Sequence, residues 1–352
     1  MVTPPRNENA KYIKPDLPKF NLPEFNGTLK YGGIAEPRIK PTFLPLPPGA
    51  VEPRGWLRDW AVTARDGLSG HMDEVSPTFR DGWKGTPTEA NDDRNDGRYG
   101  NKIDGTGAVL CECAYWLDGA LRLGYVLHDQ ALIDKITKRL APIVEGVNQG
   151  GDSFIHWRKG KPDNPFRSFS HSHMGRALAT WYRATGDKRI LDALVRAYTN
   201  YPVPMGWLQF HADISGIENL DPLLEAYAFS GDQRLLDLAK AAMADPAVAA
   251  TLREWGEGKF ITGHGVVVSE HIRLPMLLYP WTGEVKYRQA SVNAFLNLAQ
   301  EHMLPYGVTS AEEWISGIGA FRLTETCDVS EQLWASSWMY RILGERVYGD
   351  GM

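Results

Sequence analysis

The sequence predicts an all-α protein in which helical hairpins surround a central cavity, as in an (α/α)6 toroid or barrel. Short turns recur every ~45–60 residues between amphipathic stretches, a spacing that fits one helical hairpin and its return loop. No stretch with the two-residue period of a strand interrupts these hairpins. An open α-solenoid is the alternative arrangement of the same repeats.

The turns themselves have the composition of helix ends. In four of them a Gly directly precedes an acidic residue: Gly186-Asp187, Gly231-Asp232, Gly283-Glu284 and Gly344-Glu345. A Gly at this place fits a left-handed helix C-cap. The acidic residue that follows can support the N-terminus of the next helix. We therefore predict that each pair joins two antiparallel helices.

The chain divides into an arm and a barrel. Residues 1–50 are rich in Pro and Lys, and Leu44-Pro-Leu-Pro-Pro-Gly49 must be extended. We predict an extended N-terminal arm that packs on the barrel, and a barrel domain over 51–352. Residues 71–106 are polar, rich in Gly and too long for a connector, which predicts a loop over the cavity mouth. Aromatic residues can anchor the arm: Phe20, Phe25, Tyr31 and Phe43.

The helices that line the cavity can be distinguished from the outer ones by composition. Four stretches combine aromatic, small and polar residues on several helix faces: residues 111–119, 169–176, 263–271 and 328–334. Residues 131–140 have the single apolar stripe of an ordinary outer helix. We therefore expect aromatic and His side chains in the cavity.

Charge and length exclude several classes of partner. The chain has 352 residues and a formal net charge of -5, which gives no reason to expect nucleic acid or an anionic membrane. No apolar run is long enough to span a bilayer. The N-terminus lacks the basic-then-apolar pattern of a signal peptide, so we expect a cytoplasmic protein as written. Removal of a leader would make it secreted or periplasmic.

Aromatic residues and cysteines narrow the chemistry further. Twelve Trp and fourteen Tyr are a high load for this length, and aromatic clefts hold the apolar faces of sugar rings. The cysteines are Cys111, Cys113 and Cys327, an odd, low count that argues against a disulfide framework. Cys111 and Cys113 have no second pair for a zinc ribbon, so we interpret them as core residues.

Glu325-Thr-Cys327 places a carboxylate two residues before a thiol. Asp328 and Glu331 have the spacing of a capping box, which predicts a helix that begins directly after Cys327. Backbone N–H groups there would favour a thiolate. A thiolate and a carboxylate together suit Zn²⁺, although two ligands are also compatible with a buried Cys beside a solvated Glu.

Two neighbouring acids, Glu312 and Glu313, lie in a loop with Ser and Gly. Such acids are often only exposed to solvent. A carboxyl group held near a thiolate and a metal could instead act as a general acid/base, so we name both as catalytic candidates.

Four further residues are candidates for substrate binding. His173 and His264 lie at the starts of helical stretches, where side chains reach the mouth of a toroid and can donate to sugar hydroxyls. Glu112 and Asp118 lie on an aromatic helix. A structural role, such as a bond from Asp118 to a neighbouring helix end, is the alternative for each of them.

With these residues in place, the chain resembles the β-L-arabinofuranosidase family, glycoside hydrolase family 127 and its relatives. Glu325-Thr-Cys327 is the most specific match, because the family has a Glu-Thr-Cys or Glu-Leu-Cys motif there. The order and spacing of the other matches add to it. They are Ala114–Tyr125, Ser172–Gly186, His264-Gly-Val-Val-Val and Ser310-Ala-Glu-Glu313.

The resemblance implies an (α/α)6 barrel followed by β-sandwich domains. It implies Zn²⁺ held by Glu325, Cys327 and two further cysteines, one of which is the nucleophile of a retaining mechanism. Glu313 would be the acid/base, and His173 a sugar contact. The equivalents of the paired cysteines and of the last barrel helix lie beyond Met352. We therefore expect a barrel that is incomplete at its C-terminus, unless a homo-oligomer or a second chain completes it.

The sequence thus predicts a glycoside hydrolase for furanosidic, β-L-arabinofuranoside-like glycans. A metal-free toroid that acts as an epimerase, lyase or unsaturated-uronide hydrolase is a second hypothesis. A non-catalytic glycan-binding or assembly subunit is a third. The partners expected are a carbohydrate and Zn²⁺, with neither nucleic acid nor membrane.

Overall fold

Five helical hairpins form most of the part of the protein that the computed structural model describes, namely residues 33–76, 79–80, 110–150, 154, 165–200 and 217–350. Before them come α1 (Trp56–Asp66) and α2 (Leu68–Val75). The first three hairpins are α3 (Leu110–Leu127) with α4 (Gln130–Asn148), α5 (Pro165–Thr185) with α6 (Lys188–Thr199), and α7 (Leu220–Ser230) with α8 (Gln233–Ala244). A 3-10 turn, Ile217–Asn219, precedes α7.

The second part of the chain adds shorter elements between its hairpins. After α9 (Pro246–Gly256) and α10 (Gly265–His271) comes the hairpin of α11 (Leu274–Thr282) with α12 (Val285–Glu301). The strands β1 (Ala311–Glu312) and β2 (Trp314–Ile315) pair antiparallel. The last hairpin joins α13 (Thr326–Leu343) to α14 (Arg346–Asp350).

The helices form an inner and an outer layer. Each inner helix packs against the next, in the order α3, α5, α7, α11 and α13, while α4, α6 and α8 lie outside them. Fully buried apolar side chains fill the space between the layers, among them Leu117, Leu121, Ile136, Leu140 and Leu178. Because every outer helix returns the chain, the inner helices run in the same direction. The prediction of an all-α barrel of helical hairpins is confirmed.

The helix ends confirm the left-handed glycine caps at all four turns, and the acidic N-caps at Asp187 and Asp232, whereas the side chain of Glu284 makes no cap hydrogen bond. The four glycines that end α5, α7, α11 and α13 have φ between 67° and 72°, the left-handed region that Gly enters without a steric cost. The side chains of Asp187 and Asp232 accept hydrogen bonds from the first N–H groups of the helices that follow. In the turn after α3, which has no Gly, His128 takes the left-handed conformation with φ 54°.

The arm crosses one mouth of the barrel, which we call the arm-side mouth. There the C-termini of α7, α11 and α13 expose carbonyl groups that have no partner within their helices. The backbone N–H groups of Ile34 and Ala35 donate to Ala228, that of Ile39 donates to Pro280, and that of Phe43 donates to Arg341. Residues 33–43 therefore satisfy helix ends of three hairpins, and the domain boundary at 50/51 stays a prediction.

Two local predictions are wrong. The helix α13 begins at Thr326, not after Cys327, and Asp328 and Glu331 form no capping box because both side chains bond to neighbouring elements. His173 lies within α5, not at its start, since that helix begins at Pro165. The strands β1 and β2 have two residues each, too short for a periodic signal, and they agree with the absence of a strand period in the sequence.

Some predictions fall on other parts of the chain. Of the loop predicted over 71–106, residues up to Val75 belong to α2, and most of the remainder lies outside the described residues. The anchors Phe20, Phe25 and Tyr31 and the side chain of Cys111 lie outside them too. Within the described ranges, no helix combines the length and the apolar character needed to cross a membrane.

Candidate functional site

A two-stranded hairpin carries the first acidic candidate of the site. Glu313 lies at its tip, between β1 and β2, with φ 68°. This conformation costs a residue other than Gly roughly 1 kcal/mol and is found preferentially where function requires it. The neighbouring segment fixes the hairpin, because the Gly265 N–H donates to the Glu313 carbonyl at 2.7 Å and the Ile315 N–H donates to the Gly263 carbonyl at 3.0 Å.

Four of the residues predicted from the sequence form one chain of hydrogen bonds. His264 Nε2 lies 2.9 Å from Glu313 Oε2. The Glu313 N–H donates to Glu325 Oε1 at 2.9 Å. The thiol of Cys327 donates to the other oxygen of that carboxylate, Glu325 Oε2, at 3.3 Å. We refer to His264, Glu313, Glu325 and Cys327 as the mouth cluster.

The mouth cluster is exposed on one side and buried on the other. The Glu313 side chain is 55% exposed, whereas that of His264 is 9% exposed. A reacting molecule can therefore reach the carboxyl group of Glu313, while the imidazole that holds it is shielded. Trp314, which follows Glu313, is 42% exposed, and its ring lies 6.3 Å from that of His264. Sequence reasoning missed Trp314, although an aromatic residue beside two acids was a usable signal.

The protonation of Cys327 differs from the prediction. Burial, together with the hydrogen bond to Glu325 and the negative charge of that residue, raises the pKa of Cys327 to about 11. Backbone groups at the start of α13 lower it by less than these effects raise it. The helix N-terminus alone therefore does not make the thiol a thiolate.

The thiol and carboxylate nevertheless fit a shared zinc ion. Two ligand atoms bound tetrahedrally to one Zn²⁺, a sulfur at 2.3 Å and an oxygen near 2.0 Å, lie about 3.5 Å apart. Cys327 Sγ and Glu325 Oε2 lie 3.3 Å apart. Zn²⁺ would take the place of the proton that the Cys327 thiol now donates to Glu325. These two residues are therefore suited to be two ligands of such a site.

The remaining acidic candidates lie outside the mouth cluster. Glu312 is exposed on β1, and no side-chain hydrogen bond joins it to the described residues. Glu112 is half-buried in the first turn of α3. Burial of the Cys113 thiol foremost, and the negative charge of Glu112 to a smaller extent, raise the pKa of Cys113 to about 12. Asp118 pairs with Arg122 at 2.7 Å and Arg176 at 3.2 Å. Roles for Glu112 and Asp118 in substrate binding stay predictions.

His173 lies deeper, in a second group of ionisable side chains. It is fully buried, and its ring lies 3.6 Å from that of Tyr115. One ligand atom each from His173, Glu270 and Glu331 lies within 4.8 Å of the others, so this buried group could bind a metal ion. His173 contacts no sugar from this position unless the cavity opens, and its predicted role stays a prediction.

Arg273 joins buried acids of three helices, α7, α10 and α13. It is fully buried, and its guanidinium pairs with Asp221 at 3.2 Å and with Glu270 and Glu331 at 3.4 Å. Arg176 lies 3.8 Å from Glu331. Burial and the charge of Glu331 raise the pKa of Glu270 well above its usual range. Sequence reasoning missed this buried ionic network because a single charged residue in a helix is usually exposed to solvent, and nothing in the sequence distinguished these residues from that case.

The helix α10 connects the mouth cluster to the buried network. Its Ser269 hydroxyl donates to Asp328 on α13, and its His271 Nε2 contacts Glu218 in the 3-10 turn. Burial lowers the pKa of His271 to about 3, so the ring is neutral and donates to the carboxylate. Burial likewise raises the pKa of Asp328 to about 6. The helix α10, which begins at Gly265, is therefore held by α13 on one side and by the 3-10 turn on the other.

Gly265→Ala should disrupt the mouth cluster. A Cβ on Gly265 would fall inside the contact distance of the Ala311 Cβ, so the hairpin would have to move away from α10. Overpacking of this kind costs about 1–3 kcal/mol, which thermal unfolding would detect as a lower Tm. Gly119→Ala is the matched control, since nothing lies near its Cβ and Ala is favoured within a helix. An unchanged Tm for Gly265→Ala would contradict the close packing.

Three solved structures share this fold. A β-arabinofuranosidase of family GH127, BT3674, matches with a TM-score of 0.60 over 92% of this chain and 54% of that one, at 16% identity. A GH127 β-L-arabinofuranosidase from Geobacillus stearothermophilus T6 matches with a TM-score of 0.62 over 86% of this chain and 54% of that one, at 16% identity. A protein described as a glycoside hydrolase gives a TM-score of 0.51, at 16% identity, over 75% and 47%.

These comparisons confirm the resemblance at the level of the fold. The chain spans about half the length of each of the three solved proteins. No protein-family model matches the sequence, and no curated protein does. The fold of this chain is thus that of the glycoside hydrolases to which its motifs are similar.

Proposed function

We propose that the chain forms the helical barrel of a retaining glycoside hydrolase that acts on β-L-arabinofuranoside-like glycans. The observation that carries this proposal is the chain of hydrogen bonds from His264 through Glu313 and Glu325 to Cys327. It brings an acid/base candidate and a thiol into one exposed site. The shared fold with glycoside hydrolases supports the class of reaction.

Glu313 would be the general acid and base. Its exposed carboxyl group can donate a proton to the leaving glycosidic oxygen and later accept one from the attacking water. The left-handed backbone at the hairpin tip and the 2.9 Å contact with His264 Nε2 hold the carboxyl group in one orientation. His264 is then a positioning residue for Glu313. Trp314 offers an exposed ring against which a sugar can stack.

Glu325 and Cys327 would hold the zinc ion. When bound, Zn²⁺ would supply a positive charge that lowers the pKa of thiols and keeps thiolates near the anomeric carbon. The resemblance implies two further cysteine ligands, one of them the nucleophile. Within this chain, Glu325 has a second role, because its Oε1 accepts the backbone N–H of Glu313. The same carboxylate therefore positions both the thiol and the acid.

A metal-free acid/base enzyme is the second candidate. The pair of His264 and Glu313 can move a proton without the thiol, and the raised pKa of Cys327 leaves that group neutral at pH 7. Such a site suits an epimerase, a lyase or an unsaturated-uronide hydrolase. Activity on an unsaturated uronide that persists unchanged after treatment with a chelator would favour this candidate.

Cys327→Ala should weaken zinc binding. Because this chain supplies only Glu325 and Cys327 as ligands, the protein is expected to bind one zinc ion per chain in a titration with ZnCl₂ followed by calorimetry, and the variant at least tenfold more weakly. Cys113→Ala is the control, because Cys113 is buried at the start of α3, outside the mouth cluster. The same preparations would be assayed on 4-nitrophenyl β-L-arabinofuranoside, with the anomer of the first product identified by NMR. Equally tight zinc binding by Cys327→Ala would overturn the ligand assignment.

A further inference from the structure

Two neighbouring cavities open at the arm-side mouth of the barrel. Their volumes are about 480 and 370 Å³, within the range of small-molecule sites. Residues 33–48 of the arm form part of the wall of each cavity. Both cavities share four side chains: Arg183, Glu225, Trp338 and Arg341.

Among the residues that the structure describes, Arg341 is a cation without a carboxylate at ion-pair distance. The other arginine shared by the cavities, Arg183, pairs with Glu225, so those two charges cancel. Within the described ranges no carboxylate lies at ion-pair distance from Arg341, and its buried Nε has no hydrogen-bond partner. Its guanidinium lies over the Trp338 ring, 4.2 Å from the ring centre.

A cation in this place is costly unless an anion joins it. Burial opposes the charged form of a side chain, and a nearby like charge adds to that effect. Burial first, and then the neighbouring Arg183, lower the pKa of Arg341 to about 10. The charges of Glu225 and Asp221, which lie beyond ion-pair distance, offset only part of this effect. The geometry of the unpaired guanidinium, rather than the pKa, shows that an acceptor is lacking. The guanidinium is a planar fork of donors, which would match a carboxylate with two hydrogen bonds.

The aromatic walls indicate what the carboxylate would be attached to. Trp338 lies beneath Arg341 and lines both cavities, and Trp281 lines the larger one. Flat apolar faces beside a cation suit a ring that carries a charge at its edge. A free inorganic anion would use the guanidinium but leave these faces without a contact.

We propose that the arm-side mouth binds an acidic sugar, with its carboxylate on Arg341 and its ring against Trp338 or Trp281. The site is separate from the mouth cluster. Cys327 and Arg341 lie on the same helix, α13, and fourteen residues of helix span about 21 Å. The proposal therefore does not depend on the reaction that the mouth cluster carries out.

Isothermal titration with D-glucuronate tests the binding, with D-glucose, acetate and inorganic phosphate as comparison ligands. We expect saturable binding of D-glucuronate with a Kd of about 1 mM or tighter, and at least tenfold weaker binding of the three others. Arg341→Met keeps the stem and removes the charge, so it should weaken D-glucuronate binding at least tenfold. Arg346→Met is the control, because Arg346 lies in the exposed helix α14 and lines neither cavity.

Thermal unfolding without ligand gives a second measurement. Because Arg341→Met removes an uncompensated charge, its Tm should equal or exceed that of the parent, by up to about 3 °C. D-glucuronate should raise the Tm of the parent but not that of Arg341→Met. The proposal is overturned if D-glucuronate does not bind, if D-glucose binds equally well, or if Arg341→Met binds like the parent. Equal binding of acetate or phosphate would overturn the assignment to a sugar.

Discussion

Glu313→Gln should lower kcat by about 10²–10⁴-fold on an arabinofuranoside with a poor leaving group, because the protonated carboxyl group that assists departure is lost. The amide retains the size of the side chain and can still bond to His264 Nε2 in one tautomer. The folded structure should therefore change little. On a 4-nitrophenyl substrate, which leaves without a proton, the first step should slow much less. The ratio kcat/KM on both substrates measures the difference, because it reports the first step, whereas kcat also contains the second step, in which Glu313 acts as the base.

The neighbouring acid provides the comparison for this experiment. Glu312 lies on the same hairpin, but its exposed side chain contacts none of the mouth cluster. Glu312→Gln should therefore change kcat by no more than about twofold, since it alters only a solvated charge. If Glu312→Gln lost as much activity as Glu313→Gln, the assignment of Glu313 would be wrong. Equal losses of kcat/KM on both substrates for Glu313→Gln would indicate a structural role instead.

Arg273→Met should destabilise the barrel by about 3–5 kcal/mol, the cost of leaving buried charges without a partner. Arg273 is fully buried and lies at ion-pair distance from Asp221, Glu270 and Glu331. Its Nη1 also donates to the Glu270 carbonyl at 2.7 Å. Methionine fills much of the space but replaces neither the charge nor these donors. Urea unfolding at pH 7 would show the change as a lower midpoint with a similar slope.

Two further variants separate charge from packing in this experiment. Arg288→Met removes an exposed ion pair with Glu345 and should cost about 1 kcal/mol or less. Asp221→Asn, made in the Arg273→Met background, removes a buried carboxylate that has lost its partner and should restore part of the lost stability. A free energy of unfolding that does not recover would show that packing, rather than charge, determines the effect of Arg273→Met.

The sequence predicted the helical hairpins because helix ends are local. A Gly followed by an acid determines a left-handed cap and the next N-terminus without reference to the rest of the protein, as at Gly231 and Asp232. The mouth cluster was predictable for a related reason. Glu313, Glu325 and Cys327 lie within fifteen residues of one another, and their residue types suit a single kind of chemistry.

The buried ionic network could not be predicted in the same way. Only Glu270 and Arg273 are close in sequence, while Asp221 and Glu331 come from distant parts of the chain, and the packing of the helices brings them together. The capping box failed for the same reason. Asp328 has a better partner in Ser269 on another helix, and tertiary contacts of this kind override a local preference.

The two oxygens of Glu325 connect the thiol of Cys327 to the acid Glu313. One oxygen holds the backbone of the hairpin and the other holds the sulfur, so a change at either end alters the restraint on the other. A ligand that binds at Cys327 and shifts Glu325 changes the restraint on the backbone of Glu313. By thermodynamic reciprocity, a ligand that binds at Glu313 then changes the affinity for the ligand at Cys327 by the same factor. Glu325 is therefore the residue through which the two binding events are coupled.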